Sequence, residues 1–233
     1  MGGIDGGWVR SLRSSIWLSP KNTPVSFVVN INPSAVGAHS AILNLDDPAT
    51  AGIDYQTMNV VIVPNKFNAG NNYAVSTSGT VGRNQVLHYF YLVPPGTPAF
   101  KVDFSGPSAT PGTGQARFLR FHPYGVGIDS NASTSCYSPS AGSCAGSPNS
   151  RTTSNPQAGV WEVVVEARRT SDADPVPFTL TASILGASVS PNPDIIASAT
   201  IGVPVARSYT LNNLFGAFTG RAVGTTLSAL PQT

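Results

Sequence analysis

Side chains that could do chemistry at neutral pH are scarce and scattered in this chain. Hydrolysis by a serine or cysteine nucleophile needs a base and an orienting acid brought together in space. There are three histidines and two cysteines in 233 residues. His39 stands in Gly-Ala-His-Ser at a strand start. His88 alternates with apolar residues, which predicts a satisfied core histidine. His122 lies in Phe-His-Pro-Tyr-Gly with Asp129 seven residues on, a pair that could hold a ligand or be a locally hydrogen-bonded loop. Gly142-Ser-Cys-Ala-Gly146 imitates a nucleophile elbow, but that motif needs a strand before it and a helix after it, and its flanks here are Ser and Pro. No catalytic residue is assigned.

Metal and anion chemistry is equally thin. Asp46, Asp47 and Asp54, or Asp129 with Asn131, offer oxygens that structural calcium could use, although Asp46-Asp47-Pro48 reads equally well as a turn. Apart from that calcium no cofactor is expected, and no metal ligand is assigned. Gly112-Thr-Gly114 follows no strand and opens no helix, so it reads as a turn rather than a phosphate cradle. Arg168-Arg169 is the only basic doublet and reads as a solvated strand end. Basic residues number 13 and acidic ones 11, spread singly; nothing resembles a nucleic-acid patch. No run of about 18 apolar residues could span a membrane as a helix.

Cys136 and Cys144 sit close together in a loop rich in Ser, Pro and Gly. Such spacing favours a local disulfide and an oxidising compartment; free thiols are the alternative, and a metal site would need further ligands. Asn131-Ala-Ser133 is a glycosylation sequon, which matters only in a glycosylating host.

The elements that must position these residues are strands. Hydrophobic residues reach 41%, only 10% are charged, and Gly and Pro number 23 and 20. This suits a folded, turn-rich chain better than a disordered one. Period-2 alternation dominates. Val25, Phe27, Val29 and Ile31 share a face; so do Ala41, Leu43 and Leu45, and Met58, Val60 and Ile62. Trp8 to Leu18 would supply an earlier strand. Asn65 to Tyr73 reads as a polar linker. A second series comes after it at Val86–Leu92, Phe100–Phe104, Ala116–Phe121, Val160–Ala167 and Phe178–Ile184, with a long loop from His122 to Pro156. In Val160–Ala167, Trp161, Val163, Val165 and Ala167 face one way and Glu162 and Glu166 the other. Beyond Pro191-Asn-Pro193, alternation restarts from Ile195 to Leu211. Short helical turns would fit at 106–115 or 210–218.

The segment order from Thr23 to Gly220 resembles the C-terminal accessory region of bacterial secreted subtilisin-like serine peptidases. The resemblance rests on Ala38-His-Ser-Ala-Ile-Leu-Asn-Leu-Asp-Asp-Pro48, Leu92-Val-Pro-Pro-Gly-Thr97 and Arg117-Phe-Leu-Arg-Phe-His-Pro-Tyr-Gly125. Gly159-Val-Trp-Glu-Val-Val-Val165 and Pro177-Phe-Thr-Leu-Thr181 add to it. The piece up to about Val63 looks like the immunoglobulin-like domain of large subtilases, and the middle like a pre-peptidase C-terminal jelly roll. The expectation is an all-β chain of tandem antiparallel β-sandwiches. Residues 1–64 would form the immunoglobulin-like sandwich and 65–190 the jelly roll. Residues 191–233 would form a partial third β module or strands completing the first.

The catalytic motifs of that family, Asp-Ser/Thr-Gly, His-Gly-Thr and Gly-Thr-Ser-Met, are missing: the histidines are followed by Ser, Tyr and Pro. The resemblance therefore implies a non-catalytic fragment of a secreted peptidase. Its partner would be the catalytic domain of the same parent chain, with a protein substrate or another subunit as further candidates. The start Met1-Gly-Gly-Ile-Asp-Gly-Gly has no signal-peptide pattern and fits such a fragment. The alternative is a binding module for carbohydrate or another surface ligand, using Tyr89, Tyr91, Tyr124 or Tyr137. Its ligand-binding residues are unknown.

Overall fold

The computed structural model describes residues 7–11, 15–18, 23–107, 110–129, 135–136 (backbone alone) and 150–217. The fold is all-β, built as tandem antiparallel β-sandwich elements.

The first region holds two short ladders. Strand β1 (Val9–Ser11) pairs with β2 (Val29–Ile31), and β3 (Gly37–Leu45) with β4 (Tyr55–Val63), both antiparallel. The turn between β3 and β4 is built by carboxylates. Asp54 accepts from the Asp47 N–H at 2.6 Å and the Thr50 hydroxyl at 2.9 Å, while Asp47 accepts from the Ala49 N–H at 3.0 Å.

The middle region is a two-layer sandwich. Its strands are β5 (Asn65–Lys66), β6 (Ala74–Val81), β7 (Val86–Val93), β8 (Ala99–Ser105), β9 (Gln115–Phe121), β10 (Ser135–Cys136), β11 (Ser150–Ser154), β12 (Gly159–Ala167) and β13 (Val176–Leu185). One sheet runs in the order β10-β9-β12-β7-β5 and the other β11-β8-β13-β6. All pairs are antiparallel except β5 with β7. From β6 to β9 the chain crosses to the opposite sheet at each turn, so each strand's inward residues meet the other sheet. Between the layers pack Tyr91, Phe100, Phe104, Phe118, Trp161, Phe178 and the Val, Leu and Ile residues alternating with them. Trp161 is 2% exposed, its ring 5.3 Å from Phe100 and its Nε1 donating to the Gln157 carbonyl at 2.7 Å. At the head of that strand Gly159 has φ +133°, and a Cβ there would lie 2.9 Å from Pro123; both exclude a side chain.

The tail forms a separate ladder, β14 (Ala187–Ser190) with β15 (Thr210–Asn213). The base of the excursion between them is pinned by Asp194, which accepts from Arg207 and from the Tyr209 hydroxyl.

Several expectations need correction. Asn65 to Tyr73 is no linker: β5 joins a sheet, Phe67 enters the core, and Asn68 caps a 3-10 turn at Ala69–Asn71. Strand β6 is hidden in sequence by its Ser, Thr and Gly, whose outward hydroxyls pair with β13 (Ser76 with Thr181, Ser78 with Thr179). The loop from His122 to Pro156 contains β11, which runs alongside β8 for five residues. Residues 106–107, 110–115 and 210–217 hold no helix. Trp8–Leu18 and Val25–Ile31 yield strands of only three residues among those described. Of Ile195 to Leu211, only Thr210 and Leu211 lie in a ladder.

Candidate functional site

The outer face of the five-stranded sheet gathers most of the polar groups that could act. On β7 the odd positions, Leu87 to Val93, point inward. Val86, His88, Phe90 and Leu92 point outward beside Glu162, Val164 and Glu166 of β12 and Arg117, Leu119 and Phe121 of β9. His88 is therefore on an exposed face, not in the core. Both faces of β7 are apolar; the second sheet covers the inward row, while on the outer face Phe90 and its neighbours Leu119 and Val164 are buried and His88 is exposed. Its Nδ1 lies 2.5 Å from Glu162 Oε1, with side chains 52% and 30% exposed. Arg117 Nε pairs with Glu166 at 2.5 Å.

A second polar cluster lies inside. On β9, Ala116, Phe118 and Arg120 form the inward row, so Arg120 enters the sandwich at its edge. Arg151 enters from β11 opposite Val102. Both guanidiniums converge on Asp129: Arg120 Nε and Nη2 donate at 3.0 and 2.9 Å, and Arg151 Nη1 approaches to 3.1 Å. The Arg120 N–H adds a bond at 2.8 Å and Thr153 accepts from Arg120 Nη1 at 3.0 Å. Arg151 also donates to the Phe118 carbonyl and stacks 4.2 Å over the Phe118 ring. Burial pushes the Asp129 carboxyl up, but the hydrogen bonds and charges of Arg120 and Arg151 outweigh it and hold it below the usual carboxylate range. Sequence reasoning missed this cluster. The signal available was an arginine in the inward row of β9.

The other predicted residues disperse. His39 Nε2 contacts the Ala35 carbonyl at 2.7 Å, and its ring meets Trp8 edge-on at 5.7 Å. His122 Nδ1 accepts from the Tyr124 N–H at 3.1 Å, a local loop bond, and Asp129 is engaged elsewhere. The calcium candidates Asp54 and Asp129 already serve N–H, hydroxyl and guanidinium donors, and no group of three metal-ligating side chains exists among the described residues. Asn131, Tyr137 and Cys144 lie outside the described residues, as does any Cys136–Cys144 bond; the Cys136 backbone pairs with Gln115. The Gly112 and Gly114 N–H groups bond the Asp172 carboxylate, which confirms a turn there. Arg168 and Arg169 are exposed.

Of the aromatic candidates, Tyr91 is fully buried, with its hydroxyl unpartnered and its phenol pushed up by burial. Tyr89 packs edge-on to Phe178. Tyr124 is exposed.

The first region presents a different surface. Ala41 and Leu43 are buried, yet Met58, Val60 and Ile62 are 69, 61 and 43% exposed. The register pairs Ala41 with Asn59 and Ile42 with Met58. The apolar row of β4 thus lies on the opposite side of the hairpin from the buried row of β3.

Comparison with known proteins places this architecture. Residues 9–63 match the Ig-like domain in actinomycete serine proteases. Over 93 residues, 38% of the chain, the sequence is 28% identical to pyrolysin of Pyrococcus furiosus, of which that stretch is 6%. The fold is similar to that of tripeptidyl peptidase 2, with a TM-score of 0.54 and 15% identity over 80% of this chain and 16% of that one. The chain thus spans a small part of the length of these proteins. Residues 9–63 are matched by the immunoglobulin-like domain of actinomycete serine proteases, and the chain resembles an accessory region of a subtilisin-like serine peptidase.

Proposed function

We propose that the chain is a non-catalytic accessory region of a secreted subtilisin-like serine peptidase. It stabilises the parent's catalytic domain or positions protein substrate, and proteolysis is carried by that domain, elsewhere in the parent chain. The observation that carries this reading is the match of residues 9–63 to an immunoglobulin-like domain of serine proteases. The engagement of the histidines supports it, since His39, His88 and His122 meet a carbonyl, a carboxylate and a backbone N–H. We divide the chain into an immunoglobulin-like unit (1–64), a jelly roll (65–190) and a tail (191–233), with a Cys136–Cys144 disulfide suited to export.

Two experiments test the reading. The isolated chain, incubated with casein and with a general serine-hydrolase probe, is expected to match its heat-denatured control; turnover or labelling above that control overturns non-catalysis. Deleting the region from the parent peptidase is expected to lower its melting temperature or raise KM for casein, while cleavage of a short peptide persists. A deletion that changes neither overturns the accessory role.

A further inference from the structure

Strand β4 has a partner on one side. Among the described residues it pairs with β3, and no strand lies along its other edge. Natural proteins guard an edge of this length with charges, prolines or bulges, because its N–H and C=O groups template further pairing. The sequence of β4, Tyr-Gln-Thr-Met-Asn-Val-Val-Ile-Val, has no charge and no proline. Its Met58, Val60 and Ile62 form an exposed apolar row along that edge.

The strand is also complementary to itself. In an antiparallel pair, directly opposed residues either both turn their N–H and C=O groups toward the partner strand or both turn them away. Two copies of β4 can therefore meet only in registers that oppose residues an even number of positions apart. One of these overlaps all nine residues. It sets Tyr55 opposite Val63 of the second copy, Gln56 opposite Ile62, Thr57 opposite Val61, Met58 opposite Val60, and Asn59 opposite Asn59 on the two-fold axis. Opposed residues share a face, so the exposed apolar rows of the two copies join into one strip. The charges at the ends agree as well. Asp46, Asp47 and Asp54 are exposed at the turn that leads into β4, and Lys66 is exposed three residues past Val63. Antiparallel pairing brings the acidic end of each copy to the basic end of the other, whereas parallel pairing would set acid beside acid.

We propose that two copies of this chain pair edge to edge through β4, in this register, into a continuous sheet ordered β3-β4-β4-β3. The contact is isologous, with the same patch on both copies. One strand edge about 30 Å long buries less than a standard interface, so the association is weak and is read at high protein concentration. It is independent of the accessory role, so either can fail alone.

Sedimentation equilibrium of the full chain over a concentration series tests this. The average mass is expected to rise toward that of two chains. Hydrogen exchange at the β4 amides not bonded to β3 is expected to slow about tenfold between the lowest and highest concentrations, with β7 and β12 unchanged. Two variants test the register. Asn59→Lys and Asn59→Asp each set like charges directly opposite at the axis, so each is expected to stay monomeric, and the two mixed in equal amounts are expected to associate. If the Asn59 variants misfold, Met58→Lys/Val60→Lys decides, because it changes only the exposed row and sets lysine against lysine twice: a folded monomer supports the inference, and association equal to the parent's overturns it. A mass that stays at one chain throughout overturns it; β4 protection at every dilution would then assign the edge to another segment of this chain. Association that the single Asn59 variants leave unchanged overturns it too, as does a mixture of them that stays monomeric.

Discussion

Strands β4 and β12 look alike on paper. Each has nine residues, and each sets a row of large apolar side chains against a more polar row. In β12 the apolar row, Trp161, Val163, Val165 and Ala167, is at most 4% exposed, and Glu162 and Glu166 face outward. In β4 the apolar row, Met58, Val60 and Ile62, faces solvent, and Thr57, Asn59 and Val61 take the half-buried side. The difference comes from what lies opposite. Strand β12 is central in a five-stranded sheet with a four-stranded sheet across the core, whereas β4 is the edge of a two-stranded ladder. Alternation assigns residues to faces, and a second layer decides which face is inside.

The sharpest way to break this contrast is to truncate the buried row. Trp161→Ala is expected to cost roughly 3–5 kcal/mol, a large share of the ~5–15 kcal/mol that holds a domain. Thermal unfolding should show a steep fall in Tm or loss of soluble protein. A Tm within a degree or two of the parent would show that the assigned inward face is wrong.

Next in size is the buried ion cluster. Asp129→Asn removes the buried carboxylate on which the Arg120 and Arg151 guanidiniums converge, and breaking such a pair costs about 3 kcal/mol or more. The pH dependence has a definite sign. Asp129 titrates below its unfolded value, so its contribution is fully present above about pH 4 and is lost as pH falls through the folded value. Chemical denaturation across pH 2–6 should show the parent losing stability over this range more steeply than the Asn variant; parallel curves would remove Asp129 from the account.

The proposed Cys136–Cys144 bond closes a short loop and contributes about 2 kcal/mol in the chain-entropy model. Intact mass of exported protein should be lower by two hydrogens before reduction than after it, and Cys136→Ser should lower Tm modestly. Equal masses would leave the thiols free.

The smallest effect is expected on β4. Val60→Ser sits on an exposed row and should shift stability by no more than about 0.5 kcal/mol in urea titration. A loss comparable to that of Trp161→Ala would mean that the row is covered after all.

Much of the sandwich was legible. Strands β7, β8, β9, β12 and β13 fall within a residue or two of the apolar alternation, and Pro94-Pro-Gly-Thr97 forms its expected turn, the Thr97 N–H returning to the Pro94 carbonyl. Polar strands were not legible. Strands β6 and β11 are rich in Ser and Thr, and their place comes from ladders to residues about a hundred and about fifty positions away. The same holds for the polar groups. Arg120, Asp129 and Arg151 are unremarkable singly and meet only because β9, next to the short edge strand β10, and β11, the edge strand of the other sheet, lie on the same side of the sandwich.

By itself, then, the order of residues determined an all-β chain, most of the strand positions in its middle and the side-chain rows along them, because a strand's period of two is local. It also held the segments that resemble a peptidase accessory region. Tertiary structure alone decided that His88 is exposed, that Asp129 serves two arginines, and that the apolar row of β4 faces outward. Each of these depends on which sheet lies opposite, and that is set by pairing between distant strands.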